Sequence, residues 1–221
     1  MERALIIGAS GGIGAALSDA LVTRGAGVTA LTRRDDGLDV TEEASVEAAL
    51  GRLDGPFDLV FVATGGLEID GRRPEKSLKH LDAAALQRQF ALNTIGPALV
   101  LKHAVRLLPR DRRCMFAALS ARVGSIGDNG FGGWYGYRAA KAALNQMIHT
   151  GAIELARTHK QSICVALHPG TVQTPLTRRY VGNHPSVTPQ DAAQNLLSVM
   201  DGLAPQDTGL FFDWQGKRVP W

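Results

Sequence analysis

Short, uninterrupted apolar runs alternate with longer helical segments from one end of the chain to the other. The runs lack the polar alternation of half-exposed strands, so we expect both faces of their sheet to be covered. Strands separated by helices run parallel and are joined by right-handed crossovers. The pattern therefore predicts an α/β fold: a single doubly wound (Rossmann) parallel sheet of about seven strands with helices on both faces. The predicted strands are residues 4–7, 28–31, 38–40, 57–63, 114–119, 162–167 and 210–213.

Helical segments fill the connections between these strands. Thr41 is predicted to cap the second helix, because two acids follow it in the first turn. Thr188 is predicted to cap the last helix, which opens with Pro189. No Pro-, Gly- or Ser-rich linker divides the chain, so residues 1–221 are predicted to form one domain. The predicted helices are residues 14–24, a segment from residue 41, 81–108, 135–159 and 189–200.

The composition restricts the partners and the location of the chain. Its 221 residues are 45% hydrophobic and 20% charged, with a formal net charge of +3. No run of five or more basic residues occurs, so we expect no nucleic-acid partner. The first apolar run is short, and no stretch approaches the roughly 20 residues of a membrane helix, which predicts no membrane partner and a cytoplasmic location. Cys114 and Cys164 lie in predicted strands, which favours reduced thiols, and no metal site is predicted.

A glycine-rich turn follows the first predicted strand and opens the first predicted helix. Gly8, Gly12 and Gly14 give the spacing G-x-x-x-G-x-G. Glycine permits positive φ and lets the backbone approach a pyrophosphate, to which the helix N-terminus offers free N–H groups. No Lys-Ser/Thr pair follows the glycines, which excludes a Walker loop. Because the turn lies in the first strand–helix connection of an alternating pattern, a dinucleotide site is favoured over a plain loop.

The end of the second predicted strand indicates which dinucleotide is bound. Arg33 and Arg34 stand where an NAD-binding protein places an acid for the ribose 2′-hydroxyl. A guanidinium suits a 2′-phosphate through charge-assisted hydrogen bonds. The alternative is a solvated surface pair. We predict NADP(H) as the cofactor, with Arg33 as the residue that selects it.

A tyrosine and a lysine four residues apart open the second long predicted helix. Tyr137 and Lys141 therefore share one helical face. A phenol with a pKa near 10 is a poor acid or base at neutral pH, but a nearby ammonium is expected to lower that pKa. The pair could then exchange a proton with a carbonyl or alcohol oxygen. Taken alone, the spacing also fits an ordinary surface pair.

In this order and spacing, the glycine turn and Tyr137-x3-Lys141 resemble the short-chain dehydrogenase/reductase family over essentially the whole chain. The segment from Gly132 to Asn145 looks like its carbonyl-reductase branch, which includes Sniffer and C-factor-like proteins. The resemblance implies NADP(H)-dependent hydride transfer between the nicotinamide and a small carbonyl or alcohol substrate. The implied cofactor-binding residues are Gly8, Ser10, Gly11, Gly12, Ile13, Gly14, Arg33, Asp39, Val40, Ala63, Gly65, Asn93, Tyr137, Lys141, Pro169, Val172 and Thr174.

The resemblance also implies individual roles. Asp39 and Val40 would contact the adenine, and Asn93 would hold a water that relays protons from Lys141. Val172 and Thr174 would contact the nicotinamide carboxamide. Each has a simpler interpretation from the residues alone, such as a turn residue for Asp39 or an ordinary polar helix residue for Asn93.

The chain departs from the family pattern in two places. After the fourth predicted strand the family carries Asn-Asn-Ala-Gly, whereas this chain has Val62-Ala63-Thr64-Gly65. At the end of the fifth predicted strand, Ala121 stands where the family has its catalytic serine. Ser120 could take that role if the strand end bulges, and Ser125 is the alternative. The predicted catalytic residues are Asn93, Ser120, Tyr137 and Lys141.

Three further expectations follow from the resemblance. Residues 175–188 would form a substrate lid, and a homodimer or homotetramer would form through the two long helices. An epimerase on the same core is disfavoured, because only about fifty residues follow Pro169. The alternative function is an NADP-binding sensor or signalling protein with little turnover.

Overall fold

Six parallel strands form one sheet in the spatial order β2-β1-β3-β4-β5-β6. The computed structural model describes residues 1–180 and 185–221. Every neighbouring pair of strands is parallel, so all carboxyl ends meet at one edge. The strands are β1 (Arg3–Ile7), β2 (Gly27–Leu31), β3 (Leu59–Val62), β4 (Cys114–Leu119), β5 (Ser162–His168) and β6 (Phe211–Asp213). The predicted doubly wound fold is confirmed.

Helices cover both faces of the sheet, as the apolar strands require. The helices are α1 (Gly12–Thr23), α2 (Arg33–Asp36), α3 (Glu43–Gly51), α4 (Ala83–Phe90), α5 (Gly96–Ala104), α6 (Tyr135–Thr158) and α7 (Pro189–Gly202). On one face, α3, α5 and α6 pack against Leu5, Ile7 and the other strand side chains that point to that face of the sheet. On the other face α1 and α7 pack against Ala4 and Ile6. Successive strand residues therefore supply the two cores in turn.

The predicted strand at 38–40 is wrong. Leu38 and Val40 are buried, which is the feature that suggested a strand. The backbone turns there instead, because Gly37 has a φ of +68° and the Asp39 N–H donates to the Ser45 hydroxyl. Two alternate apolar side chains can thus reach the core from an irregular segment, which leaves six strands rather than about seven in the described ranges.

Two helix predictions also need correction, and a third is confirmed. Thr41 does not cap α3, because its hydroxyl donates to Asp39 and the helix begins at Glu43. The segment 81–108 is not one helix: a π-helical turn, Ala91–Ile95, separates α4 from α5. The predicted Thr188 cap of α7 is confirmed, because the Thr188 hydroxyl accepts a hydrogen bond from the Asp191 N–H. No helix in the described residues is long and apolar enough to cross a membrane.

The sheet order places a switch point between β1 and β3. From β1 the chain moves outward to β2 and then returns to the opposite side of β1 to form β3. Connections that leave in opposite directions open a crevice at the carboxyl ends of the strands, where α/β sheets of this type bind ligands. The glycine turn after β1 and residues 63–66 after β3 both lie at this crevice.

Candidate active site

The glycine turn is folded tightly onto the end of β1. Gly8 has a φ of +86°, and its N–H donates to the Leu31 carbonyl at the end of β2. A Cβ at Gly14 would collide with the Gly8 carbonyl oxygen, so only glycine lets α1 start this close to the strand. α1 has neither a side-chain cap nor an acid in its own first turn. The first N–H groups of α1 are therefore available to an anion, whereas the Gly11 N–H already donates to the Gly8 carbonyl.

Two segments from elsewhere in the chain close over this turn. The Thr64 methyl group lies 3.0 Å from where a Gly8 Cβ would be, and the Thr174 methyl group 3.0 Å from where a Gly12 Cβ would be. The Thr64 hydroxyl is buried and has no hydrogen-bond partner among the described residues. Ala63, half-buried beside it, donates its N–H to the Ile7 carbonyl. An orphaned hydroxyl next to an uncapped helix start fits a ligand with hydrogen-bonding groups.

Arg33 is the first residue of α2 and is exposed. Its neighbour Arg34 is already paired with Asp35, with 2.9 Å between Nε and Oδ1. Within residues 1–180 and 185–221, Arg33 forms no ion pair. Of these two arginines at the end of β2, Arg33 is therefore the better candidate for binding a phosphate.

The residues predicted to meet the adenine lie in the segment that follows α2. The Asp39 carboxylate accepts hydrogen bonds from the hydroxyl and the N–H of Thr41, at 2.7 and 2.9 Å. These bonds lower the pKa of Asp39, and the positive charge of Arg33 lowers it further. Val40 is buried and touches Gly96 at the start of α5. Asp39 therefore holds a turn in this structure, and its contact with adenine stays a prediction.

Tyr137 and Lys141 lie in the first two turns of α6. The Lys141 Nζ is 5.8 Å from the centroid of the Tyr137 ring and donates to the Leu119 carbonyl at 2.9 Å. Burial raises the pKa of Tyr137 to about 12 and lowers the pKa of Lys141 to about 7. We expected the ammonium to lower the tyrosine pKa; in this structure desolvation dominates both groups. The Tyr137 hydroxyl is thus protonated at neutral pH.

Asn93 lies in the π-helical turn and is completely buried. Its side-chain oxygen accepts the Gly66 N–H, while its Nδ2 donates to the Gly66 carbonyl and to the Gln89 side chain. A Cβ on Gly65 would lie 3.0 Å from the Asn93 oxygen and 3.4 Å from the Lys141 Nζ. The two predicted relay residues therefore meet at Gly65, although the Asn93 amide is mainly engaged in fixing the backbone after β3.

The residues after β5 form the opposite wall. Pro169 is buried, and Val172 is buried and forms a parallel bridge with Val187. This bridge positions Thr174 over Gly12. The described part of the predicted lid 175–188 begins directly after it, and residues 181–184 lie outside the described residues.

Both candidate serines are buried and have partners. Ser120 donates its hydroxyl to the Asn145 side-chain oxygen at 2.6 Å, and Ser125 accepts the Asp128 N–H at 3.1 Å. Asn145 lies two helical turns beyond Tyr137 on α6, roughly 12 Å along the axis. No hydrogen bond joins either serine to Tyr137 in the described ranges. The catalytic role of Ser120 stays a prediction.

A carboxylate absent from our predictions fixes the start of α6. The buried Glu75 accepts the Gly136 N–H on its side chain and the Trp134 N–H on its carbonyl. Trp134 has a φ of +52°, an unfavourable conformation for a residue other than glycine. Glu75 precedes α6 by about sixty residues, and no local pattern marks it. Gln89 was also missed, although its spacing of four from Asn93 is a signal for a shared helical face.

A cleft of about 490 Å³ lies between residues 65–68 and residues 175–179. The Glu68 carboxylate receives a hydrogen bond from the Tyr180 hydroxyl at 2.5 Å and lies 3.3 Å from the Arg179 guanidinium. The Trp134 ring packs edge-on against Tyr180 and Tyr137, with centroids 5.4 and 6.5 Å apart. Aromatic side chains thus connect the 175–180 side of the cleft to Tyr137.

A doubly wound sheet with a glycine turn at its switch point defines a nucleotide-binding α/β protein of the Rossmann type. The profile of the short chain dehydrogenase family matches residues 2–184, and the chain belongs to that family. The prediction of a dehydrogenase/reductase enzyme is therefore confirmed.

Individual relatives agree with this assignment. The chain is 33% identical to 1-hydroxy-2-glutathionyl-2-methyl-3-butene dehydrogenase of Rhodococcus sp. (strain AD45), over the whole of both chains. It is 35% identical to C-signal of Myxococcus xanthus over 145 residues, which are 66% of this chain and 84% of C-signal. A crystal structure of a short-chain dehydrogenase/reductase from Burkholderia multivorans with bound NADP superimposes with a TM-score of 0.84, at 26% identity over 99% of both chains. The predicted membership of the short-chain dehydrogenase/reductase family is confirmed, and the similarity to C-signal agrees with the predicted likeness to C-factor-like proteins.

Proposed function

We propose that this protein is an NADP(H)-dependent oxidoreductase that transfers a hydride between the nicotinamide and a carbonyl or alcohol substrate, with Tyr137 as the acid/base. The observation that carries the proposal is that Lys141 lies beside the Tyr137 ring and meets Asn93 at Gly65, at the crevice that also holds the glycine turn. The NADP bound to the Burkholderia multivorans relative supports the cofactor. The dehydrogenase activity in the name of the Rhodococcus relative supports the reaction class.

The residues of the chain have distinct tasks in this proposal. The first turn of α1 and the Thr64 hydroxyl would hold the pyrophosphate region, and Arg33 the 2′-phosphate. The dinucleotide supplies or accepts the hydride when bound. Tyr137, protonated at neutral pH, donates a proton to the carbonyl oxygen in the reductive direction.

Lys141 has two possible charge states near neutrality. Burial lowers its pKa to about 7, and within the described residues its hydrogen-bond acceptor is the Leu119 carbonyl. A negative charge in the crevice favours the ammonium and would raise that pKa. An ammonium beside Tyr137 then stabilises the phenolate left after proton donation.

The first experiment titrates NADPH and NADH into the protein and follows nicotinamide fluorescence. We expect tight NADPH binding, weaker NADH binding, and a loss of the preference in Arg33→Asp, because a carboxylate would repel the 2′-phosphate. Arg110→Asp is the matched control, since Arg110 is an exposed arginine that precedes β4 at the opposite edge of the sheet. If neither nucleotide binds, the cofactor site and the catalytic proposal are both wrong.

The second experiment tests Tyr137. Tyr137→Phe should still bind NADPH but lose turnover of aldehydes and ketones by a factor on the order of 10²–10⁴, the usual contribution of a general acid. Ser120→Ala and Ser125→Ala, compared at matched fractions of folded protein, would show which hydroxyl polarises the substrate. Unchanged turnover in Tyr137→Phe would exclude it as the acid.

An NADP-binding sensor is the second candidate function. Ser120 and Ser125 form hydrogen bonds with Asn145 and Asp128 rather than with Tyr137, which favours a protein with little turnover. The similarity to C-signal favours the same alternative. NADPH binding by the parent protein without oxidation by any aldehyde, ketone or quinone would support this alternative.

We also propose a homodimer or homotetramer through the α5–α6 surface. Met147 and Ile153 on α6 and Ile95 before α5 are exposed apolar side chains. A monomer in sedimentation at micromolar concentration would contradict this proposal.

We also propose a cytoplasmic location. The two cysteines are buried and form no disulfide with each other, which supports this location, and cell fractionation would test it.

A further inference from the structure

The cleft between residues 65–68 and 175–179 adjoins the reactive residues directly. Gly65 lines this cleft, and the same glycine lies against the Lys141 Nζ and the Asn93 side chain. The volume of about 490 Å³ is within the range of small-molecule sites. A substrate whose carbonyl group reaches Tyr137 would therefore extend its remaining part into this cleft.

The charges that line the cleft are unequal. Arg178 and Arg179 line one side, and Glu68 lines the other. Glu68 is occupied on both oxygens, by Tyr180 and by Arg179. Arg178 forms no ion pair in the parts of the chain that the structure describes. The lining of the cleft therefore carries a net positive charge, which belongs to the Arg178 guanidinium.

Neighbouring groups reinforce this imbalance. Desolvation and the hydrogen bond to Glu68 raise the pKa of Tyr180 to about 12, whereas the positive fields of Arg73 and Arg179 act in the opposite direction. Arg73 therefore contributes to the same cationic region. The Tyr180 hydroxyl stays protonated at neutral pH and remains a donor to Glu68.

We propose that this cleft selects anionic substrates, in particular carbonyl or alcohol compounds that carry a carboxylate, and that Arg178 is the residue that recognises the carboxylate. The backbone of Arg178 is fixed, because its N–H donates a hydrogen bond to the Thr174 carbonyl. A guanidinium binds a carboxylate through two parallel hydrogen bonds, which a neutral amide of the same shape cannot form. The inference rests on the proposed function, since it names the substrate class of the same site.

The test compares two aldehydes of matched shape, 4-carboxybenzaldehyde and the uncharged 4-formylbenzamide. The measured quantity is the ratio of their kcat/KM values with NADPH. We expect the parent protein to prefer the carboxylate by a factor on the order of 10 to 100, as for a hydrogen bond to a charged group. Arg178→Gln should bring the ratio close to one, and Arg178→Lys should keep part of the preference.

Controls separate this effect from a general change of charge. Arg110→Gln removes the same charge at the opposite edge of the sheet and should leave the ratio as in the parent. The preference should also weaken as salt is added, because the Arg178 side chain is exposed. Glu68→Gln should increase the preference, since it frees Arg179 from its partner.

The outcomes distinguish this inference from the proposed function. If both aldehydes are reduced at equal rates, the inference is wrong and the oxidoreductase proposal stands. If Arg178→Gln weakens NADPH binding and leaves the aldehyde ratio unchanged, Arg178 serves the cofactor and the inference is also wrong. If no aldehyde is reduced, the proposed function fails, and calorimetric binding of the two aldehydes to the NADPH-loaded protein then decides the inference by the same ratio.

Discussion

The buried Lys141 should make the stability of the ligand-free protein depend on pH in a specific way. Its pKa of about 7 in the folded chain compares with about 10.4 in an unfolded chain. Between these two values the unfolded chain binds a proton that the folded chain has released. Stability therefore rises with pH in this window, by up to about 1.4 kcal/mol per pH unit.

The useful window is about pH 7 to 8.5, because the other perturbed groups either act outside it or affect the parent and a Lys141 variant equally. The buried thiols of Cys114 and Cys164, with pKa values of about 11 and 12, oppose folding as the unfolded thiols ionise near pH 8.5, and this effect is the same in both proteins. The lowered pKa of His168, about 4, affects stability only below about 6.5. Across the window, Lys141 should contribute about 1.5–2 kcal/mol.

Urea unfolding of the parent and of Lys141→Met at several pH values measures this contribution. The free energy of unfolding of the parent should rise by that amount relative to the methionine variant, whose side chain cannot titrate. Lys160→Met, a substitution of an exposed lysine between α6 and β5, should follow the parent. If the parent and Lys141→Met change in parallel from pH 7 to 8.5, the desolvation argument for Lys141 is refuted.

Three further predictions concern stability and reactivity. Gly14→Ala should destabilise the fold by roughly 1–3 kcal/mol and weaken NADPH binding, because its Cβ would collide with the Gly8 carbonyl; Gly51→Ala, with open space around its Cβ, should be neutral or slightly stabilising in the same urea assay. Ser120→Ala should cost about 1–3 kcal/mol, since it removes the donor to the buried Asn145 oxygen, and an unchanged urea midpoint would contradict this. Cys114 and Cys164 should react with a thiol reagent at least roughly a hundredfold more slowly in the native protein than in urea, because both thiols are buried and have raised pKa values; equal rates would contradict the burial.

The sequence was sufficient where structure follows from local patterns. Apolar runs located all six strands, and the Thr188-Pro189 signal placed the start of α7. The same reasoning failed at 38–40, because buried alternate side chains do not show whether a neighbouring strand is available for pairing. It also failed within 81–108, where side-chain periodicity is nearly the same on either side of the π-helical turn.

Predictions of chemical state depended on distances that a sequence does not contain. Tyr137 and Lys141 were predicted to be adjacent, and they are, but the net pKa change depends on how much solvent each loses. The orientation of Ser120 likewise depends on the partner that it finds on α6. Residue type and spacing thus predicted which of these side chains lie together, whereas burial determines their pKa values and hydrogen-bond partners.

The position of Tyr137 is fixed mainly by hydrogen bonds between neighbouring side chains and the backbone. Glu75 fixes the first turn of α6, the Leu119 carbonyl fixes Lys141, and Asn93 fixes Gly66. These three contacts join α6, β4 and the segment after β3, and none uses the Tyr137 hydroxyl. That hydroxyl makes no hydrogen bond within the described residues, so its proton remains available. Distant residues such as Glu75 can thus be required for the geometry of the site without contact with the substrate.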